Sequence, residues 1–386
     1  MIRPPRVMFY VQHLLGIGHL ARASRIATAL ADAGASVTVV TGGLPVPGFP
    51  SPGVDHIALP AISAAEGFAG LVDAQGEPID DQFKQRRRDA LIDAFHHVKP
   101  DLVLTEAFPF GRRQVRFEML PLIDAIHATT PRPILCASIR DILQERAKPG
   151  RDAETVALVR DHYDHVLVHG DPNFVRLEDT FPLASEIAHK VIYTGLVAGP
   201  VPEPSPDRFD IVVSAGGGAV GAGVLQAASE ASLLLPDIKR WCLIAGPNLP
   251  QADFDRFSQN LRDGVELTRF RVDFTALLGA ARLSVSQAGY NTICDILGAG
   301  CRALLVPFAS GGETEQTARA NRFAALGRMT SLPEDRVTGQ SLAQAITATL
   351  AKPIGNVGQL KTDGAERTAQ IVLALSQGNP PYMSIT

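Results

Sequence analysis

Residues 6–34 read RVMFYVQHLLGIGHLARASRIATALADAG. An apolar run over 6–11 has the length and composition of a strand, glycines at 16 and 18 supply a turn, and an Ala-rich amphipathic stretch over 19–33 reads as a helix stopped by Gly34. Residues 37–41 read as the next strand. A short apolar run, a glycine turn and an amphipathic helix in that order are the grammar of a parallel βα unit. Working outward, further strand-like runs lie at 102–105, 134–137, 166–168 and 191–193, separated by spans long enough for crossover helices.

The segment GLVAGPVPEPSPDRFD at 195–210 interrupts this grammar, because prolines at 200, 202, 204 and 206 remove backbone donors and stiffen the chain. Beyond it the grammar restarts with a strand at 211–214, a glycine loop at 216–218 and a helix over about 220–235. Strands at 241–245, 265–268, 283–286 and 303–306 follow, with helices near 274–281, 291–299, 315–326 and 341–350. The expectation is an α/β protein of two Rossmann-like, doubly wound parallel-sheet domains facing across a cleft. They span 1–200 and 207–350, and a tail at 351–386 carries a helix over 364–375 that crosses back to the first. Ligands of such sheets sit at the carboxyl ends of the strands, near the point where strand order reverses.

The 386 residues are 46% apolar and 20% charged, which is an ordinary globular composition. A net charge of -4 gives no basic footprint for nucleic acid. Cys136, Cys242, Cys294 and Cys301 are scattered in apolar surroundings and form no CxxC pair, so reduced, buried thiols are expected. The amino end lacks the pattern of a signal peptide, and no run approaches the ~20 apolar residues of a membrane span. A cytoplasmic location is the expectation.

Three clusters carry chemistry. Gly16, Gly18, His19 and Arg22 lie at a strand-to-helix junction, where His19 reads either as a helix-start residue or as a neutral imidazole that accepts a proton from a hydroxyl. Gly216, Gly217 and Gly218 follow a strand, but no Walker lysine follows and the spacing fails the dinucleotide fingerprint, so the loop reads as a packing device or a phosphate contact. The third, SQAGYNTICD at 286–295, is a strand end, a glycine turn and a helix start with an acid one turn in. Asp295 there suits two vicinal hydroxyls, and Glu315 with Gln316 suits the hydroxyls of a sugar.

From Ser286 to Ala320 the chain resembles the donor-binding region of GT-B glycosyltransferases, in particular the glycosyltransferase family 28 type that includes the peptidoglycan N-acetylglucosaminyltransferase. The family's SRAGxxTxxE signature reads here as Ser286 to Asp295, with Asp at the closing position. The same stretch is similar to the HCGWNSxxE box of plant glycosyltransferases, whose acid-plus-Gln pair looks like Glu315 and Gln316. The GxGHxxR pattern of Gly16, Gly18, His19 and Arg22 looks like the acceptor-side loop of the same superfamily.

The resemblance implies the GT-B architecture. It implies a ribose contact for Asp295, diphosphate contacts for Gly217, Gly218, Gln287, Gly289, Asn291 and Thr292, a sugar contact for Glu315 and Gln316, and base recognition near Phe270. His19 would be the general base. The residues themselves suggest Glu106 as its orienting carboxylate, with Asp141 second, and as acceptor-side cations Arg112 and Arg113, in a loop with exposed aromatics, and Arg140. Asp253 to Asp255, His96 with His97, and the run Arg86 to Arg88 read as solvated surface.

The activity implied is inverting, metal-independent transfer of a hexose or N-acetylhexosamine, with no cofactor, from a nucleoside diphosphate sugar, UDP favoured, to a hydroxyl of a small-molecule, glycan or lipid-linked acceptor. Peripheral membrane contact is compatible with this, and nucleic acid is not a partner. Hydrolysis or epimerisation of a nucleotide sugar, and a non-catalytic nucleotide-sugar binding module, are the alternatives.

Overall fold

The computed structural model describes residues 3–14, 18–46, 48–65, 70–145, 149–216, 221–246, 249–353 and 360–379. Gly16, Gly217 and Gly218 lie outside them. In chain order the elements are β1 (Arg6–Val11), α1 (Gly18–Asp32), β2 (Ser36–Thr41), β3 (Asp55–Ala58), a short antiparallel pair β4 (Ser63–Ala64) and β5 (Leu71–Val72), α2 (Asp81–Val98) and β6 (Leu102–Glu106). Then come α3 (Arg116–Ala128), β7 (Ile134–Arg140), α4 (Arg151–His162), β8 (His165–His169) and β9 (Val191–Tyr193). The remainder comprises β10 (Ile211–Ser214), α5 (Ala222–Leu234), β11 (Trp241–Ile244), α6 (Gln251–Ser258), β12 (Val265–Thr268), α7 (Phe274–Ala280) and β13 (Leu283–Ser286). It closes with α8 (Tyr290–Ala299), β14 (Ala303–Leu305), α9 (Glu315–Ala325), β15 (Thr330–Ser331), α10 (Gly339–Ala351) and α11 (Gly364–Ser376).

The chain divides into two compact units, 1–197 with 363–386, and 198–362. In the first, seven parallel strands run in the order β3-β2-β1-β6-β7-β8-β9. Strands covered on both faces must be apolar throughout, and Val7 to Val11 are fully buried. From β1 the chain winds one way through β2 and β3, then returns through α2 to β6 on the other side of β1. The carboxyl ends of β1 and β6 therefore diverge at the reversal of strand order. His19, in the first turn of α1, and Glu106, the last residue of β6, meet there.

Arg87 corrects the reading of Arg86 to Arg88 as one solvated face. A helix turns about 100° per residue, so the three arginines point in three directions around α2, and the middle one points into the protein. Arg87 is wholly buried: its Nε donates to Glu118 Oε2 at 2.5 Å, Nη2 to Glu118 Oε1 at 3.0 Å, Nη1 to Gly42 O at 2.8 Å, and Nη2 also to Gln12. Tyr10 Oη donates to the same Glu118 carboxylate. A Cβ on Gly42 would fall 1.9 Å from Arg87 Nη2, so the close approach needs glycine. This network fixes the carboxyl end of β1 just ahead of the turn that leads to His19.

The second unit is a six-stranded parallel sheet of order β12-β11-β10-β13-β14-β15. Its reversal falls between β10 and β13. The proline-rich segment belongs to this unit, where Ser205 N donates to Ala276 O at 3.0 Å and Ser205 Oγ to Asp273 Oδ2 at 3.1 Å. The chain then rejoins the first unit, where α11 packs on α1 and Gly364 N donates to Leu196 O at 3.0 Å.

Removing Arg87 strands a buried carboxylate, and such losses cost about 3–5 kcal/mol. Arg87→Ala is expected to lower the stability of the first unit by that amount, read as faster amide exchange in β1 and β6. Arg87→Met combined with Glu118→Leu is expected to restore most of it; equal loss in the single and double variants would refute the account.

Candidate active site

Glu106 is a carboxylate with no exposed surface at the end of β6. Burial alone would raise its pKa, yet the Arg22 guanidinium, the His19 ring and the Ser138 hydroxyl hold it well below the usual carboxylate range. Arg22 Nη2 donates to its Oε1, His19 Nδ1 lies 2.9 Å from the same oxygen, and Ser138 Oγ donates to Oε2 at 2.7 Å. An ionised carboxylate only accepts, so Nδ1 of His19 carries the proton and Nε2 is left with its lone pair. Loss of water and the nearby Arg112 charge push His19 down to about 3, which keeps the ring neutral.

The chain of hydrogen bonds continues away from His19. Ser138 Oγ spends its proton on Glu106, so His169 Nε2, 2.9 Å away, must donate to it. That leaves His169 Nδ1 to accept from Thr194 Oγ1 at 2.8 Å. Burial lowers His169 also to about 3. Sequence reading missed Ser138, His169 and Thr194. Their signal was positional: Ser138 pairs with Glu106 in the β6–β7 register, and His169 ends the neighbouring strand β8. Asp141 lies in the turn after β7, where its Oδ1 accepts from Ile142 N at 2.8 Å.

Beside His19 a cavity of about 250 Å³ is lined by residues that include Arg22, Arg112, Arg140 and Arg151. The loop 107–112 was expected to expose aromatics. Instead Phe108 and Phe110 are buried, Phe108 within the core and Phe110 packed on the core while also lining the cavity beside Arg112. Arg112 and Ala107 both hold left-handed backbone, at φ 56° and 66°.

In the second unit, Gln287, Gly289, Asn291, Thr292 and Asp295 follow β13, at the reversal point of that sheet. Gly289 caps α8, Thr292 is half-buried, and Asp295 is buried in the second turn of α8. Gly216 has φ 78°, and a Cβ there would lie 2.3 Å from Gln287 Oε1, so Gly216 and Gln287 are in close approach. Gln316 Oε1 accepts from Ala288 N at 3.0 Å and from Phe308 N at 3.2 Å, tying together the loops after β13 and β14. Glu315 pairs with Arg319 at 2.8 Å, and Arg319 Nη1 donates to Ala288 O at 2.9 Å. Arg319, fully buried, was not singled out from the sequence. Phe270 is 58% exposed beside Arg271, which is paired with Asp207 and Asp273. Asp253 pairs with Arg256 at 2.8 Å on α6.

Strand order, glycine turns and helix starts of this kind define a class, and comparison with known proteins gives its name. Residues 212–367 match the model of the glycosyltransferase family 28 C-terminal domain, a stretch that covers most of the second unit and runs on into the start of α11. The chain is 30% identical over 145 residues to the UDP-N-acetylglucosamine–N-acetylmuramyl-(pentapeptide) pyrophosphoryl-undecaprenol N-acetylglucosamine transferase of Alkalilimnicola ehrlichii, a match covering 36% of this chain and 39% of that protein. It is 28% identical over 169 residues to the transferase of the same description from Methylobacterium radiotolerans, covering 41% and 46%. The matches thus span less than half the length of these curated relatives.

Among solved structures, the calicheamicin glycosyltransferase CalG4 is similar with a TM-score of 0.60 at 17% identity, covering 98% of this chain and 96% of that one. MurG of Acinetobacter baumannii gives 0.58 at 16%, covering 97% and 100%. The fold is the GT-B fold.

His19 and His169 stay neutral in the fold to about pH 3, whereas free imidazoles protonate near 6.5. Below 6.5 the unfolded chain binds more protons, so stability is lost as pH falls, at up to about 1.4 kcal/mol per pH unit for each ring. Glu106, also depressed, acts in the same direction at lower pH. Amide exchange across β6 to β8 is expected to quicken as pH falls from 6.5 to 5 beyond its intrinsic pH dependence. His169→Asn is expected to reduce that slope by one ring's share, and an unchanged slope would refute the neutral assignment.

Proposed function

We propose that the protein is an inverting glycosyltransferase that moves a hexose or N-acetylhexosamine from a nucleoside diphosphate sugar, UDP favoured, to an acceptor hydroxyl without a metal. The observation that carries this reading is the neutral His19 held through Nδ1 by the buried, ionised Glu106, in a chain whose residues 212–367 match the family 28 C-terminal domain model. His19 Nε2 takes the acceptor proton as the hydroxyl oxygen attacks the anomeric carbon, and Glu106 stabilises the imidazolium that forms. Arg22 and Ser138 keep Glu106 anionic for that purpose.

In the second unit, Asp295 accepts from the ribose hydroxyls, and the start of α8 with Gln287, Gly289, Asn291 and Thr292 receives the diphosphate, with Gly217 and Gly218 contributing backbone N–H groups. Unsatisfied N–H groups and the positive end of the helix offset the charge on the leaving diphosphate. Gln316 uses its oxygen on two backbone N–H groups, which leaves Nε2 to donate to a sugar hydroxyl. Glu315, oriented by Arg319, accepts from another, and Phe270 stacks on the base. The relatives' printed descriptions, a UDP-N-acetylglucosamine transferase among them, support a UDP-sugar and a lipid-linked or small acceptor.

Incubation with UDP-, GDP- and dTDP-sugars, with and without acceptor extracts, tests the reading. Acceptor-dependent release of nucleoside diphosphate with inversion at the anomeric carbon is the expected result, and release by water alone would make the protein a hydrolase. His19→Ala is expected to lower kcat by about 10²–10⁴-fold, the usual worth of general-base catalysis, with nucleotide affinity within about twofold of wild type. Unchanged turnover would overturn the role of His19.

A further inference from the structure

Glu106, Ser138 and His169 form a line across three strands. Glu106 and Ser138 are register partners in β6 and β7, and His169 lies two residues beyond Leu167, the register partner of Ser138 in β8. Side chains two apart in a strand share a face, so the three polar groups stand on one face of the sheet. All three are buried, and so are Ala137, Ile139, Val166 and Val168 along the same strands. Apolar residues at 138 and 169 would pack there with no polar group to desolvate, so a hydroxyl and an imidazole in these places call for a use.

The protons of this line run in one direction only. Glu106, ionised beside Arg22, accepts and does not donate, so the Ser138 hydroxyl proton goes to its Oε2 at 2.7 Å. Ser138 then offers a lone pair to His169 Nε2 at 2.9 Å, and that nitrogen carries the ring proton. Thr194 Oγ1 serves the other ring nitrogen: it lies 2.8 Å from His169 Nδ1, nearer than to Gly195 O at 3.1 Å or Val168 O at 3.5 Å. Any other proton order leaves one of these buried contacts without a hydrogen. Each donor polarises the next in such a chain, and the whole of it points at Oε2.

The other carboxylate oxygen, Oε1, is shared by Arg22 Nη2 and His19 Nδ1. A guanidinium takes both oxygens of a carboxylate when the carboxylate is free to turn. Turned so, Glu106 would withdraw Oε1 from His19, and the ring would lose the acceptor that keeps its proton on Nδ1. Ser138 opposes that turn by holding Oε2, and His169 opposes the rotation of Ser138. We infer that Ser138 and His169 are positioning residues, which orient Glu106 so that His19 presents the lone pair of Nε2 to the reacting hydroxyl. The inference rests on the transferase reading for the hydroxyl, and on the hydrogen-bonded line for the orientation.

The test uses the full chain with nitrogen-labelled histidine, because protonated and unprotonated ring nitrogens resonate far apart. Near neutral pH the wild type is expected to carry the ring proton on Nδ1 of His19 and on Nε2 of His169. A His169 protonated on Nδ1 overturns the inference, and that spectrum needs no variant to fold. Ser138→Ala and His169→Asn, whose shorter side chain can meet Thr194 and not Ser138, are each expected to turn His19 into a mixture of tautomers. Each is expected to lower kcat about tenfold, the worth of one hydrogen bond, with nucleotide affinity within about twofold of wild type. His169→Gln, whose amide nitrogen can stand where Nε2 stands, is expected to restore the single tautomer and most of kcat. Because His169 acts through Ser138, the double variant Ser138→Ala with His169→Asn is expected to be no more than about twofold slower than the slower single variant. Losses that multiply in the double variant, or a His19 tautomer that both single variants leave unchanged, overturn the inference. The two failures separate: a wild type without acceptor-dependent turnover overturns the transferase reading, while the ring spectra still decide whether Ser138 and His169 orient Glu106.

Discussion

The first unit depends on one electrostatic constraint: a carboxylate at position 106 is taken entirely out of water and stays charged. Such a group survives only when several donors replace its hydration. Arg22, Ser138 and His19 do so, and each satisfies it at a price of freedom for itself. His19 loses rotational choice and acquires a defined tautomer. Ser138, having one proton, passes the demand on to His169, and His169 passes it to Thr194. A polar chain thus crosses strands β6, β7 and β8, where an apolar core would be expected. Its orientation is fixed at one end by the carboxylate.

That constraint sits where the topology makes room for it. Strand order reverses between β1 and β6, so the loops leaving these strands diverge and leave room for side chains from α1 and β7 to meet the end of β6. The same geometry recurs between β10 and β13, where Gly216 approaches Gln287 and the turn before α8 is tied to the loop after β14 through Gln316. The two sites differ in chemistry because different residues occupy equivalent strand ends: a buried ion network and arginines in one unit, glycines and amides in the other. Stability and chemistry also draw on separate buried networks. Arg87, Glu118 and Tyr10 stiffen the carboxyl end of β1 from below, while Arg22, Glu106 and His19 work above it.

Most strand positions and several helix spans were legible in the sequence because parallel strands covered on both faces must be continuous apolar runs; the short β3, β4, β5 and β15 were not, since they lie at sheet edges or in a small separate pair and carry no such run. The pairing of His19 with Glu106 was legible as well, since both lie at strand ends of one sheet. The family resemblance of residues 286–320 lay in local order alone, which is why it showed without any tertiary information.

What the linear order did not contain was partnership at a distance. Arg87 looks like its neighbours until a sheet lies beneath the helix, and the 100° turn between residues then decides which arginine is swallowed. Phe108 and Phe110 look like surface aromatics until the core receives them. Ser138 and His169 gain meaning only from strand register, which sets residues 31 or more apart side by side. The sequence by itself determined which segments become strands and helices, because burial and backbone geometry are local demands. Which charges are paired, which are neutral and which are left facing a cavity was decided by the tertiary structure, because solvation and Coulomb interactions depend on what else is brought near.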